Sequence, residues 1–129
     1  MDFSQLHQSS KGRVLLAEDD HMTSLMITKI LQKKNYEVTT VHNGLDAITE
    51  AKKHDFDYLI TDIIMPEVEG IEVISEVLES SPNTKIIAIS SDGLAGHSTL
   101  LTLAQTVGAS ATLNKPIRAD DLINTMERI

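Results

Sequence analysis

The chain has 129 residues, a hydrophobic content of 41% and a formal net charge of −8. These values suit one domain with a buried core and exclude a largely disordered chain. The negative charge argues against direct binding of nucleic acid or of an acidic membrane surface by this chain. Cysteine is absent, which excludes disulfides and cysteine-ligated zinc and is compatible with a cytoplasmic location. No stretch approaches the roughly 18 apolar residues that a membrane-spanning helix needs.

The N-terminal segment, MDFSQLHQSS, is polar and has no apolar core of the kind found in signal peptides. We therefore expect a flexible lead over residues 1–10. The rest of the chain, residues 11–129, shows no internal linker, repeat or low-complexity segment, and it predicts a single domain.

Apolar or β-branched runs of strand length alternate with segments of helical period. Arg13–Glu18 is the first predicted strand, and a helix follows it with Asp20 as the candidate N-cap. Four apolar residues repeat on one face of that helix, namely Met22, Leu25, Met26 and Ile30. We interpret its two methionines as core residues. Tyr36–Val41 is the second predicted strand and leads to a helix capped by Asn43.

The same alternation continues to the end of the chain. Tyr58–Thr61 and Lys85–Ser90 are predicted strands on either side of a third helix. A fourth helix ends before Gly108, Ala111–Asn114 is a fifth strand, and the last helix runs from about Arg118 to Ile129. Five such units predict an α/β fold: a doubly wound, five-stranded parallel sheet in the flavodoxin-like order 2-1-3-4-5.

Polar side chains stand where four of the predicted strands end. Glu18 and Asp19 come at the end of the first strand, Asp62 follows the third, Ser90 ends the fourth and Lys115 follows the fifth. In the order 2-1-3-4-5, the carboxyl ends of strands one and three meet at the topological switch point, with strands four and five beside them. We therefore expect these five residues to converge on one crevice.

The chemistry of such a crevice follows from its residue types. Clustered carboxylates repel one another unless a cation compensates them, and Mg²⁺ takes oxygen ligands. A lysine and a serine hydroxyl can contact phosphate oxygens, and an aspartate can form a covalent acyl phosphate. Phosphoryl transfer depends mainly on positioning and charge neutralisation. An aspartate, a magnesium ion, a hydroxyl and a lysine would therefore suffice for it.

Four motifs, VLLAEDD, LITDIIMPEVEG, IIAISS and NKP, occur in an order and spacing that resemble the receiver domain of two-component response regulators. The resemblance covers about Lys11–Ile129 and is to the single-domain, chemotaxis-regulator type. It implies a signalling module rather than an enzyme. It also implies that Asp62 accepts a phosphoryl group from a phosphohistidine on a sensor histidine kinase or a phosphotransfer domain.

The resemblance also implies the surroundings of the acceptor. Mg²⁺, with Mn²⁺ as an alternative, would be held by Glu18, Asp19, Asp62 and the backbone carbonyl of Ile64. Ser90 and Lys115 would engage the phosphoryl group, and the peptide from Lys115 to Pro116 would be cis.

Two positions depart from the family's usual pattern. Thr112 stands where an aromatic residue usually moves on activation, so we expect output through displacement of the Ser90–Gly96 loop and the fourth helix. The downstream target, which the sequence does not identify, would bind the fourth helix, fifth strand and fifth helix. Ile64 stands where polar residues are common, so we expect slow loss of the phosphoryl group from Asp62.

Three alternative functions fit the sequence less well. A degenerate receiver that only binds partners would lack the complete set of acidic, hydroxyl and lysine residues. A phosphatase of the haloacid-dehalogenase type needs a second aspartate two residues after the nucleophile, where this chain has Ile64. A flavodoxin-like flavin protein needs a phosphate-binding loop after the first strand, where AEDDHM would repel phosphate. The five histidines show no metal-ligand spacing, and the sequence assigns them no role.

Overall fold

The computed structural model describes residues 10–65, 68–91 and 97–129, with the backbone only over 97–101. The strands are β1 (Gly12–Ala17), β2 (Tyr36–Val41), β3 (Tyr58–Asp62), β4 (Lys85–Ser91) and β5 (Ala111–Lys115). The helices are α1 (His21–Lys33), α2 (Gly44–Lys53), α3 (Gly70–Ser80), α4 (His97–Val107) and α5 (Ala119–Arg128). The sheet is parallel, in the order β2-β1-β3-β4-β5. The predicted fold class and strand order are therefore confirmed.

The sheet is covered on both faces because successive strand residues point in opposite directions. In β1, Val14 and Leu16 belong to a core cluster shared with α1 and α5, whereas Leu15 and Ala17 belong to a cluster shared with α2, α3 and α4. All four are buried. The strands therefore read as continuous apolar runs rather than as alternating ones.

The interpretation of the α1 methionines as core residues is wrong. Met22 is 74% exposed and Met26 40% exposed, whereas the residues of α1 that are buried are Ser24, Ile27 and Leu31. Both sets have helical spacing, so periodicity alone does not choose between them. Packing decides the buried face, because Ile27 and Leu31 share a core cluster with Val14 and Leu16 of β1. The predicted N-cap is confirmed, since Asp20 accepts the Thr23 N–H at 3.0 Å.

The other predicted helix ends agree with the structure. Asn43 caps α2 by accepting the Asp46 N–H at 2.8 Å. Gly108 follows α4 with φ at 126°, a conformation that favours glycine. Within the described part of the chain, the helices are too short or too polar to cross a membrane.

Candidate functional site

The register of the sheet brings the predicted site residues to one edge. Ala17 of β1 pairs with Thr61 of β3, so the next residues, Glu18 and Asp62, lie side by side. Asp62 pairs with Ile89 of β4, one residue before Ser90. On the far side, Ser91 pairs with Lys115, the last residue of β5. Ser90 is 1% exposed, so its hydroxyl lies inside the fold. The predicted convergence is therefore what the strand pairing produces.

Lys115 bridges two buried carboxylates. Its Nζ lies 2.8 Å from Asp62 Oδ2 and 2.6 Å from Glu18 Oε1. The other oxygen of Asp62, Oδ1, accepts the backbone N–H of Ile64 at 3.2 Å. The carboxylate of Asp62 is therefore held by a cation on one side and by the following loop on the other. The Ile64 side chain is 54% exposed and lies at the surface of this loop.

Burial dominates the electrostatics of Glu18 and raises its pKa to about 7. Contacts with Lys115 and with the Asp20 N–H lower the pKa, while the charge of Asp62 raises it. For Lys115, burial lowers the pKa, but the contacts with Asp62 and Glu18 outweigh it, and the net effect raises the pKa above its usual value. The lysine therefore stays charged at neutral pH, and Glu18 holds a proton more readily than an exposed glutamate does.

The acidic side chains form a group that fits a cation. Glu18, Asp19 and Asp62 each offer a carboxylate oxygen, and these oxygens lie within 4.8 Å of one another. The buried Oε1 of Glu18 accepts no well-directed hydrogen bond from the described residues, despite its ion pair with Lys115. An oxygen-only donor set that includes buried carboxylates suits magnesium.

Gly70 is a site residue that the sequence reasoning passed over. Its N–H donates to the Ile63 carbonyl at 2.8 Å and closes the loop that follows β3. A Cβ at this position would lie 2.1 Å from the Asp62 carbonyl oxygen. Only glycine permits this approach, because a real Cβ never comes so near. The sequence signal was the glycine that ends LITDIIMPEVEG.

Two histidines were also passed over. His42 follows β2, and its Nδ1 lies 2.9 Å from the Glu18 carbonyl oxygen. The His21 ring lies against it, with ring centroids 4.4 Å apart. The only sequence signal was the position of His42 directly after a predicted strand, because its partner lies 24 residues away.

Three expectations concern the end of β5 and the loop after β4. The Lys115–Pro116 peptide is cis, as predicted. Thr112 is half-buried in β5. Of the Ser90–Gly96 loop, residues 92–96 lie outside the described residues, so the displacement predicted for that loop stays a prediction.

Comparison with known proteins agrees with this geometry. A family model described as the response regulator receiver domain matches residues 14–127. The response regulator receiver protein CpdR of Brucella abortus (strain 2308) is 36% identical over 117 residues, which are 91% of this chain and 95% of that protein.

Two solved structures share the fold. A CheY-like response regulator receiver domain protein from Methanospirillum hungatei JF-1 has a TM-score of 0.83 and 24% identity, covering 93% of each chain. The receiver domain of a sensor histidine kinase from Pseudomonas aeruginosa PAO1 has a TM-score of 0.80 and 24% identity, covering 93% of this chain and 97% of that one. The latter structure has a magnesium ion coordinated in its active-site cleft. The family match across nearly all of the chain therefore shows that this protein belongs to the response regulator receiver domain family of two-component signalling.

Proposed function

We propose that Asp62 is the phosphoryl acceptor of this receiver domain, which we take to span residues 11–129. The donor would be a phosphohistidine on a sensor histidine kinase or a phosphotransfer domain. A carboxylate oxygen of Asp62 attacks phosphorus, the P–N bond breaks, and its electron pair returns to the imidazole of the donor, which takes up a proton from water. The products are an aspartyl phosphate and a free histidine, so the domain acts as a signalling module that transfers a group to itself.

The observation that carries this proposal is the charge balance around Asp62. When ionised, Glu18, Asp19 and Asp62 bring three negative charges within 4.8 Å, and Lys115 brings one positive charge. The sum, −3 + 1, leaves two negative charges, which would repel an incoming phosphoryl group. One divalent cation would remove that barrier.

The ligands of that cation would be the three carboxylates and the backbone carbonyl of Ile64. Magnesium supplies charge neutralisation and a fixed octahedral template for oxygen ligands, and Mn²⁺ has similar ligand preferences. The ammonium group of Lys115, which contacts Asp62 at 2.8 Å, would pair with the new phosphoryl oxygens once Asp62 is phosphorylated. The buried hydroxyl of Ser90, at the end of the neighbouring strand, is the proposed hydrogen-bond donor to another phosphoryl oxygen.

The downstream surface is proposed along α4, β5 and α5. A groove of about 250 Å³ between β5 and α5 supports this proposal; it is lined by Thr112, Leu113, Asn114, Ile117, Arg118 and Asp121. The groove is lined in part by β5, and Lys115 is the last residue of that strand. Movement of Lys115 would therefore shift the neighbouring residues that line the groove. With Thr112 in place of an aromatic side chain, the signal would pass through displacement of the loop after Ser90. The net charge of −8 favours a protein target over nucleic acid or membrane, and the family resemblance favours the cytoplasm.

Intact mass spectrometry after treatment with acetyl phosphate and magnesium tests the acceptor. The wild-type protein should gain one phosphoryl group, and chelation with EDTA should prevent the gain. Asp62→Asn should remain unmodified. Asp57→Asn is the matched control: Asp57 lies at the opposite end of β3, where it accepts the Arg13 N–H at 2.8 Å, so its variant should be modified like the wild type.

Two outcomes contradict the proposal. Full modification of Asp62→Asn would mean that another residue is the acceptor. An unmodified wild-type protein, treated with both acetyl phosphate and a phosphorylated kinase, would favour a degenerate receiver that acts only by binding.

A further inference from the structure

The end of β2 contacts the acidic segment that follows β1 more closely than the strand ladder requires. The ladder between these strands ends at Ala17 and Val41. The last hydrogen bond of that ladder runs from the Glu18 N–H to the Val41 carbonyl at 3.0 Å. The next polar group, the Glu18 carbonyl, lies 2.9 Å from His42 Nδ1. Both peptide groups that flank Glu18 are thus held from β2, one by backbone and one by a side chain.

The direction of the second hydrogen bond is unambiguous. A carbonyl oxygen only accepts, so Nδ1 of His42 carries the proton and donates it. The Glu18 carbonyl shares its peptide group with the N–H of Asp19. The hydrogen bond therefore fixes the plane from which the Asp19 side chain projects towards Glu18 and Asp62.

His21 supports the orientation of the donor. It is the first residue of α1, and its ring packs on that of His42 with an interplanar angle of 44°. Both side chains are exposed, so neither is needed to fill the core. Their contact restricts the rotation of the His42 ring, whose Nδ1 lies next to the Glu18 carbonyl.

We propose that His42 is a positioning residue for the magnesium site: its Nδ1–H fixes the Glu18–Asp19 peptide so that the carboxylates stay in ligand geometry, with His21 as its packing support. The proposal rests on the proposed function, because it assigns a role towards the same cation. A hydrogen bond that holds this peptide is needed for a physical reason. Carboxylates brought this close repel one another, and Mg²⁺ tolerates little deviation from octahedral geometry.

Direct coordination by the histidine pair does not account for the arrangement. Magnesium prefers oxygen ligands over imidazole nitrogen. Loss of an outer-shell partner typically weakens metal binding by roughly 10–100-fold. Because His42 holds the backbone beside a ligand, and is exposed, we expect its loss to weaken Mg²⁺ binding by roughly threefold to tenfold.

Calorimetric titration with Mg²⁺ alone tests the proposal without phosphorylation. His42→Leu keeps a side chain of similar size but has no donor, and it should show the weakened Kd. His42→Asn places its Nδ2 where Nδ1 stands, and it should bind Mg²⁺ nearly as tightly as the wild type. His54→Ala is the matched control: His54 is also exposed and contacts an aromatic ring, Phe56, but it is the C-cap of α2 and precedes β3, at the edge of the sheet opposite the proposed metal ligands.

A second readout separates positioning from general stability. In ¹⁵N-labelled, metal-free protein, the Asp19 amide resonance should shift in His42→Leu and return towards its wild-type position in His42→Asn. Equal Mg²⁺ affinity in His42→Leu and the wild type would overturn the role of His42 while leaving the proposed function intact. Weakened binding in the leucine and asparagine variants alike would overturn it as well, because the donor would then not matter. A wild-type protein that binds no Mg²⁺ would remove the metal site itself, and both proposals with it.

Discussion

Glu18 should couple the stability of the metal-free protein to pH. Burial raises its pKa from 4.5 to about 7 in the folded state. In the unfolded chain, the carboxyl group is in water and returns to its ordinary pKa. Between these two values the folded protein holds a proton that the unfolded chain has lost, so folding is favoured there by low pH.

The direction and size of the effect follow from this difference. The contribution of Glu18 to the free energy of unfolding is fully present below pH 4.5 and is lost as the pH rises through about 7. At about 1.4 kcal/mol for each pH unit between the two values, the loss amounts to about 3 kcal/mol. A bound divalent cation favours the ionised carboxylate, so saturating Mg²⁺ should reduce the loss.

Urea unfolding followed by circular dichroism, in EDTA at pH values from 4.5 to 8, measures this contribution. The wild-type protein is compared with Glu18→Gln, which cannot titrate at this position, so the difference between the two isolates Glu18 from all other carboxylates. Glu79→Gln, an exposed change on α3, is the matched control and should follow the wild-type profile. Parallel profiles for the wild type and Glu18→Gln across this range would refute the reasoning.

Three further predictions concern the same crevice. Lys115→Met leaves the carboxylates of Glu18 and Asp62 without their cation, so the free energy of unfolding in EDTA at pH 8 should fall by about 3 kcal/mol; unchanged urea midpoints would contradict this. Gly70→Ala places a methyl group 2.1 Å from the Asp62 carbonyl oxygen. It should lower the free energy of unfolding, measured by calorimetry, by about 2 kcal/mol and weaken Mg²⁺ binding. Wild-type stability and wild-type Mg²⁺ affinity in this variant would show that the loop can move to accommodate the methyl group. Ile64→Asn should shorten the lifetime of the phosphoryl group on Asp62, measured by intact mass after donor removal, because a polar side chain there admits and orients water; a longer lifetime would reverse the argument.

The strand order was predictable because apolar or β-branched runs indicated the strands. The helical period of the segments between them indicated helical connections. Parallel strands joined by helices permit few arrangements, and the family motifs select one of them. The ends of the strands were less predictable. Asp62 and Lys115 were expected after their strands but are the last residues of β3 and β5. Such boundaries depend on hydrogen bonds from neighbouring strands, which a single segment does not reveal.

The buried face of α1 shows a different limit of prediction from sequence. Met22 and Met26 have the spacing of a buried stripe, yet Ser24, Ile27 and Leu31 face the sheet. Periodicity identifies a stripe but does not orient it when two stripes overlap. The packing of Ile27 and Leu31 against the sheet decides which stripe is buried.

The sequence by itself determined which chemical groups meet at the crevice. The carboxyl ends of parallel strands share one edge of the sheet, and the sequence gives the residues at those ends. The tertiary structure decided how they meet. It alone placed Lys115 between Glu18 and Asp62, buried Glu18 deeply enough to raise its pKa, and brought His42 to the Glu18 carbonyl. These contacts join residues far apart in the chain, and their energies depend on distance and burial, which arise only when the strands are side by side.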